Sequence, residues 1–130
     1  MIDIDDFKKV NDEYGHQKGD NVLSDIGETT KRNIRQMDTA ARYGGEELVV
    51  LMPNTNVDTA YEVAERIRRE IEHSNIEKIQ VTVSIGIAES SKLADTPEKI
   101  VHAADEALYQ AKKNGKNQIV KASDKRSLFN

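Results

Sequence analysis

The chain has no cysteine and only two prolines, and its aromatic content is 5%. Without cysteine there is no disulfide framework and no thiolate metal site, which fits a reducing cytoplasm. With so few aromatic rings a base-stacking platform for nucleic acid is not expected. A basic excess is missing too: the net charge is −4 and the pI about 5.4, the opposite of a nucleic-acid-binding face. No apolar run approaches the roughly 18 residues of a membrane span. The N-terminus lacks the charged-then-apolar pattern of a secretory leader.

What remains is a soluble α/β composition, 32% charged, in 130 residues. That length suits one domain with one core. The opening "MIDID" reads as the tail of a strand, because core strands usually run about 5 to 6 residues. The expectation is a chain that begins inside its domain. "DFKKVNDEYGH" reads as a short helix ended by Gly15. Asp20 is the expected N-cap of a helix through about Arg35, with Val22, Leu23, Ile26 and Ile34 on its buried stripe. Thr39 to Tyr43 and Leu48 to Met52 flank Gly44-Gly45 as a hairpin.

After a loop at Pro53 to Asn56, an amphipathic helix is expected from Asp58 to about Ser74. "IQVTVSIGIAE" alternates strictly and is the strongest strand signal. Thr96-Pro97-Glu98 opens a helix that closes at Asn114-Gly115. Gln118 to Lys121 reads as a last strand. Residues 1–121 thus form one domain, and residues 122–130 a flexible tail. The order β-α-α-β-β-α-β-α-β predicts an α+β fold: a mixed, largely antiparallel sheet with helices over one face and chemistry on the other.

The chemistry gathers at "RYGGEEL". Glu46 and Glu47 sit side by side at a turn, and Asp3 ends the first strand. If those elements are neighbours, the three carboxylates converge. Hard oxygen ligands of this kind suit Mg²⁺, which takes one or two protein carboxylates and completes its shell with water and phosphate. Gly44 and Gly45, lacking Cβ atoms, allow a phosphate to approach the backbone N–H groups. The competing reading is a solvated hairpin tip.

Four stretches, "DIDDFKKVNDEYGHQKGD", "RYGGEEL", "VTVSIGIAE" and "ADEALYQAKKNGKNQ", resemble the GGDEF-domain diguanylate cyclases from Ile2 to Ile119. The resemblance implies an enzyme that condenses two GTP into cyclic di-GMP and two pyrophosphates, in a fold related to the palm of nucleotidyl cyclases and polymerases. By position it implies Mg²⁺ (or Mn²⁺) held by Asp3, Glu46 and the Ile4 carbonyl, with Glu47 in support. Glu46 would also accept the 3′-hydroxyl proton. Asn11, His16 and Asp20 match substrate-binding positions, as do Lys112 and Lys116 at the phosphates. An Asn and an Asp can together read guanine, donating to O6 and accepting from N1 and N2. On residue type alone, the favoured reading of Asn11 and Asp20 is a turn residue and a helix cap; His16 also reads as a turn histidine, and the lysines as helix-end cations.

The family most often has Phe where this chain has Leu48, and its members usually carry about 40 further residues upstream. Arg35 and Asp38 match the family's RxxD product-inhibition site, with Arg66 as a third contact; the competing reading is a charged helix end. One GTP per domain implies that a second copy completes the catalytic unit. The alternative function is an inactive domain that binds cyclic di-GMP or GTP without turning it over. Nucleic acid is not an expected partner.

Overall fold

The computed structural model describes residues 1–123, so the last residues of the expected tail lie outside the described part. Nine elements follow the expected order: β1 (Ile2–Ile4), α1 (Phe7–Tyr14), α2 (His16–Asn33), β2 (Thr39–Arg42), β3 (Glu47–Leu51), α3 (Val57–Glu72), β4 (Val83–Ile87), α4 (Pro97–Lys113) and β5 (Ile119–Lys121). Where the sequence carries strong capping chemistry, the ends fall as it dictates. Asn56 Oδ1 accepts from Thr59 N–H at 2.8 Å at the start of α3. Thr96 Oγ1 accepts from Lys99 N–H at 3.2 Å ahead of Pro97. Gly115 lies at φ 121° just past α4, a conformation that glycine takes without a Cβ penalty.

The second helix departs from expectation. It begins at His16, with Gly15 (φ 92°) in the cap position, so Asp20 is an exposed residue inside the helix and not its cap. Gly15 N–H returns to Asn11 O at 2.9 Å, and this single residue turns α1 into α2.

The five strands lie in the order β2-β3-β1-β4-β5; the first three pairings are antiparallel and β4–β5 is parallel. The pleat sends alternate side chains to opposite faces. Ile2, Ile4, Val83, Ile85 and Leu48 join Phe7, Val10, Val22, Ile26, Ile67 and Ile71 in the main core beneath α1, α2 and α3. Leu48, at the position where the sequence leaves the family pattern, is buried among them.

The other face is not free, as the strand pattern had suggested. Met1, Ala104 and Leu108 form a second cluster there with Val49, Ala88 and Val101, beneath α4. Gly86 makes that packing close. A Cβ on it would stand 2.2 Å from Ala104 O and 2.3 Å from Leu108 N, both backbone atoms that cannot move aside. Helix α4 therefore covers β4 and brings its C-terminal lysines toward β1.

Candidate active site

Register builds the site. Asp3 stands directly opposite Glu47 in the β1–β3 ladder, so both side chains lie on the α4 face. Ile4 N–H donates to Glu46 O at 3.4 Å, which draws the neighbouring turn against the same strand. The two elements are neighbours as the metal reading required, and Asp3 proves to be mid-strand.

The Asp3 carboxylate is buried and split in its contacts. Lys112 Nζ, from the last turn of α4, lies 2.9 Å from Oδ2. Oδ1 is buried and has no hydrogen-bond partner. A buried acceptor left without a donor costs free energy. Burial holds the Asp3 carboxyl above its ordinary pKa in spite of Lys112. Glu46 and Glu47 are each raised as well, by partial burial first and by the Asp3 charge second.

Three acids thus meet at one corner, each with its pKa raised and one with an unmet oxygen. Among the described residues no group of three or more His, Cys, Asp or Glu side chains is drawn together closely enough to hold a metal ion by itself.

The turn is held by a residue that the sequence reading passed over. Arg42 donates through Nε to Gly44 O at 3.1 Å and through its terminal nitrogen to Gly45 O at 2.6 Å. Tyr43 N–H closes the hairpin onto Glu47 O at 2.8 Å. Neither Gly44 nor Gly45 lies at positive φ, so left-handed backbone does not account for them. What they leave is room: a Cβ on Gly45 would meet nothing within 4 Å, and one on Gly44 only Glu47 atoms at 3.9 Å.

Beside the turn, α2 and β2 enclose a groove of about 380 Å³ lined by Asp20, Leu23, Gly27, Lys31 and Arg42. Asn11, half-buried on α1, points its amide at α2. A Cβ on Gly19 would fall 1.8 Å from Asn11 Oδ1, so the glycine makes room for that amide next to Asp20. His16 is the exposed first residue of α2. Lys116 Nζ pairs with Asp6 Oδ1 at 2.7 Å. The two expected phosphate lysines are therefore tied to two acids of the β1–α1 corner.

Arg35 and Asp38 meet, but each other first. Arg35 donates to Asp38 Oδ2 through its backbone N–H at 2.8 Å and Nε at 3.1 Å, and to Oδ1 through its terminal nitrogen at 2.9 Å. The Asp38 side chain is wholly buried, and the Arg35 guanidinium holds its carboxyl below the usual range. Arg66 does not join them; its guanidinium donates to Asn33 Oδ1 at 2.8 Å and Asn33 O at 3.0 Å.

Asp5 was also missed. Buried just past the end of β1, it accepts from Ser84 Oγ at 2.6 Å, Thr82 Oγ1 at 2.7 Å and Asn117 N–H at 3.0 Å. Its period-two spacing from Asp3 was the available signal. A groove of about 670 Å³ lies at the far end of β3 around Val49–Val57, is mostly apolar and touches none of these groups.

The chain matches the family described as "Diguanylate cyclase, GGDEF domain" over residues 1–118. It is 47% identical over 123 residues to Diguanylate cyclase A of Treponema denticola, covering 92% of this chain and 33% of that protein. It is 44% identical over 126 residues to the response regulator PleD of Caulobacter vibrioides, covering 92% of this chain and 28% of that one. The chain thus spans a third or less of the length of these curated relatives. Its fold superposes on the active GGEEF domain of a diguanylate cyclase from Vibrio cholerae with a TM-score of 0.90 at 33% identity, covering 95% of this chain and 80% of that one. The GGDEF domain of DgcB from Caulobacter crescentus, solved in complex with c-di-GMP, gives 0.86 at 34% identity, with coverage of 95% and 75%.

Proposed function

Since this chain belongs to the GGDEF-domain diguanylate cyclases, we propose that it is a working cyclase domain, joining two GTP into cyclic di-GMP with release of two pyrophosphates. The observation that carries this reading is the buried, unpartnered Asp3 Oδ1 beside Glu46 and Glu47. An inactive binding module has no need to bury an unsatisfied acid among two others.

Asp3, the Ile4 carbonyl and Glu46, with Glu47 in support, would hold Mg²⁺, or Mn²⁺ in its place. When bound, the cation supplies Lewis-acid polarisation of the α-phosphate and lowers the pKa of the attacking hydroxyl. The remaining work belongs to the chain. Glu46 takes the proton of the 3′-hydroxyl as that oxygen bonds to the α-phosphorus of the facing GTP. The bond from that phosphorus to the bridging oxygen of the pyrophosphate breaks, and pyrophosphate leaves with the electron pair. Lys112 and Lys116 take up charge on the phosphates, and the turn at Gly44-Gly45 leaves space for them.

Asn11, on α1 beside Gly19, donates to guanine O6 and Asp20, at the edge of the groove beside α2, accepts from N1 and N2, while His16 flanks the nucleotide at the start of α2. Each domain holds one GTP, so two copies must face each other for both bonds to form. GTP as substrate, the absence of cysteine and the absence of a membrane-crossing helix among the described residues support a cytoplasmic setting.

Arg35 and Asp38 form the proposed inhibitory product site; Arg66, held by Asn33 in this structure, would have to leave that residue to serve as its third contact. Here the Arg35–Asp38 pair has to open before either residue receives guanine or phosphate, so product binding exchanges one set of charge-assisted bonds for another. The test of the central reading is turnover by the full-length protein against its Glu46→Gln variant, with GTP affinity measured in parallel.

A further inference from the structure

Three consecutive residues after α4, Gly115, Lys116 and Asn117, have φ of 121°, 66° and 49°. Only the first is glycine; left-handed backbone at the other two is sparsely populated and persists where the surroundings impose it.

The surroundings here are a chain of polar contacts linking α3 to β1. Arg68, with its side chain 13% exposed, forks onto Glu65 at 2.6 Å and 3.0 Å and reaches Glu72 Oε2 at 3.1 Å. The same guanidinium donates to Asn117 Oδ1 at 2.9 Å, and Asn117 Nδ2 donates to Glu72 Oε2. From the other side, Asn117 N–H donates to the buried Asp5 carboxylate, which Thr82 and Ser84 also hold. Asn117 is therefore gripped through its side chain by α3 and through its backbone by Asp5, just past the end of β1. The residue just before it is Lys116, whose ammonium rests on Asp6, an exposed carboxylate.

We infer that Arg68, Asn117 and Asp5 are positioning residues for GTP: they impose the left-handed turn that aims Lys116 at the nucleotide's phosphates, with Asp6 as the resting partner that the phosphates displace. The inference rests on the cyclase reading, and within it on the phosphate role of Lys116. None of the three touches the reacting atoms. A mere structural staple with the same contacts would support the fold but not discriminate among nucleotides by phosphate count. A positioning device acting through Lys116 does discriminate.

The test uses the full-length protein and compares affinities for GTP and GMP, which share the base and differ in the β- and γ-phosphates. Lys116→Met, Asn117→Ala, Arg68→Met and the double variant Asn117→Ala with Lys116→Met are measured. Expected is a loss of at least about fivefold in GTP affinity for each single variant, with GMP affinity held within about twofold. The double variant should lose no more than Lys116→Met alone, because coupled residues are not additive. Arg68→Met provides an independent reading if Asn117→Ala folds poorly.

Equal losses for GTP and GMP, or additive losses in the double variant, overturn the inference. If Lys116→Met weakens GTP while neither Asn117→Ala nor Arg68→Met does, the positioning role fails and the cyclase reading stands. If Lys116→Met leaves GTP affinity unchanged, the lysine's phosphate role fails and this inference with it.

Discussion

Lys112 Nζ lies 2.9 Å from one oxygen of Asp3, while the other oxygen of that carboxylate is buried without a partner. One lysine thus half-satisfies an acid that sits opposite Glu47 in the sheet and beside the turn that carries Glu46. A site in this condition carries unfavourable electrostatics, and the pH dependence of stability should reveal it. Asp3, Glu46 and Glu47 all have raised folded-state pKa values. Their contribution to stability is therefore fully present below the ordinary carboxylate range and is lost as pH rises through the folded values. Glu47→Gln should melt higher than the parent at about pH 7.5 without divalent cation, and the advantage should shrink toward about pH 4. Added Mg²⁺ should stabilise the parent more than the variant. Melting curves across pH, with and without the cation, check both.

Asp20 is free of any capping duty, because α2 starts at His16, and its carboxylate lines the groove between α2 and β2. Asp20→Asn should therefore leave the melting temperature nearly unchanged and weaken selection for GTP over ATP. A mismatched donor at guanine N1 or N2 costs roughly 1–3 kcal/mol, a fall of about five- to 150-fold in the affinity ratio. Parallel titrations with the two nucleotides decide; an unchanged ratio removes Asp20 from the base site.

Gly19→Ala offers a check on Asn11 without touching it. The added methyl would fall 1.8 Å from Asn11 Oδ1, and the amide, at the far end of a side chain, is what gives way. GTP affinity should drop at least about tenfold, comparable to one lost hydrogen-bonding group or more. Far-UV circular dichroism should stay that of the parent, since alanine favours the helix. Parental GTP affinity in the variant would contradict the role of Asn11.

The Arg35–Asp38 pair predicts a signature of the opposite sign. Asp38 is held below the usual carboxylate range by Arg35, so its stabilisation is present above the unfolded-state pKa and lost as pH falls through the folded value. Arg35→Ala should lower the melting temperature at neutral pH, and the difference from the parent should narrow below about pH 4. Cyclic di-GMP affinity should fall at least tenfold, and inhibition by product should weaken. An unchanged inhibition curve would leave the pair a structural link between the end of α2 and the loop at Pro53 and Thr55.

Element order was legible because period carries it: alternation through Val83 to Ile87, the Thr96-Pro97 start, the apolar stripe of α3. The carboxylate corner was legible because its acids stand in short motifs at a strand and a turn. What sequence hid was long-range. Gly86 gives no local sign that α4 lies across it. Gly15 read as the end of α1, and it also turns the chain into α2; Gly19 offered no local sign that it sits inside a helix packed on Asn11. Asp5 and Asn117 meet across 112 positions. Arg42 stands within the quoted "RYGG", but its grip on the two glycine carbonyls depends on the fold of the turn.

The account stands most directly on Glu46. The full-length protein and its Glu46→Gln variant should be incubated with GTP and Mg²⁺, cyclic di-GMP and pyrophosphate quantified, and GTP affinity measured separately. The account predicts cyclic di-GMP with two pyrophosphates from the parent, a loss of at least about a thousandfold in the variant, of the order seen when a principal charge-stabilising group is removed, and GTP affinity within about tenfold. Turnover by Glu46→Gln within a few-fold of the parent, or no cyclic dinucleotide from the parent at any protein concentration, would contradict it.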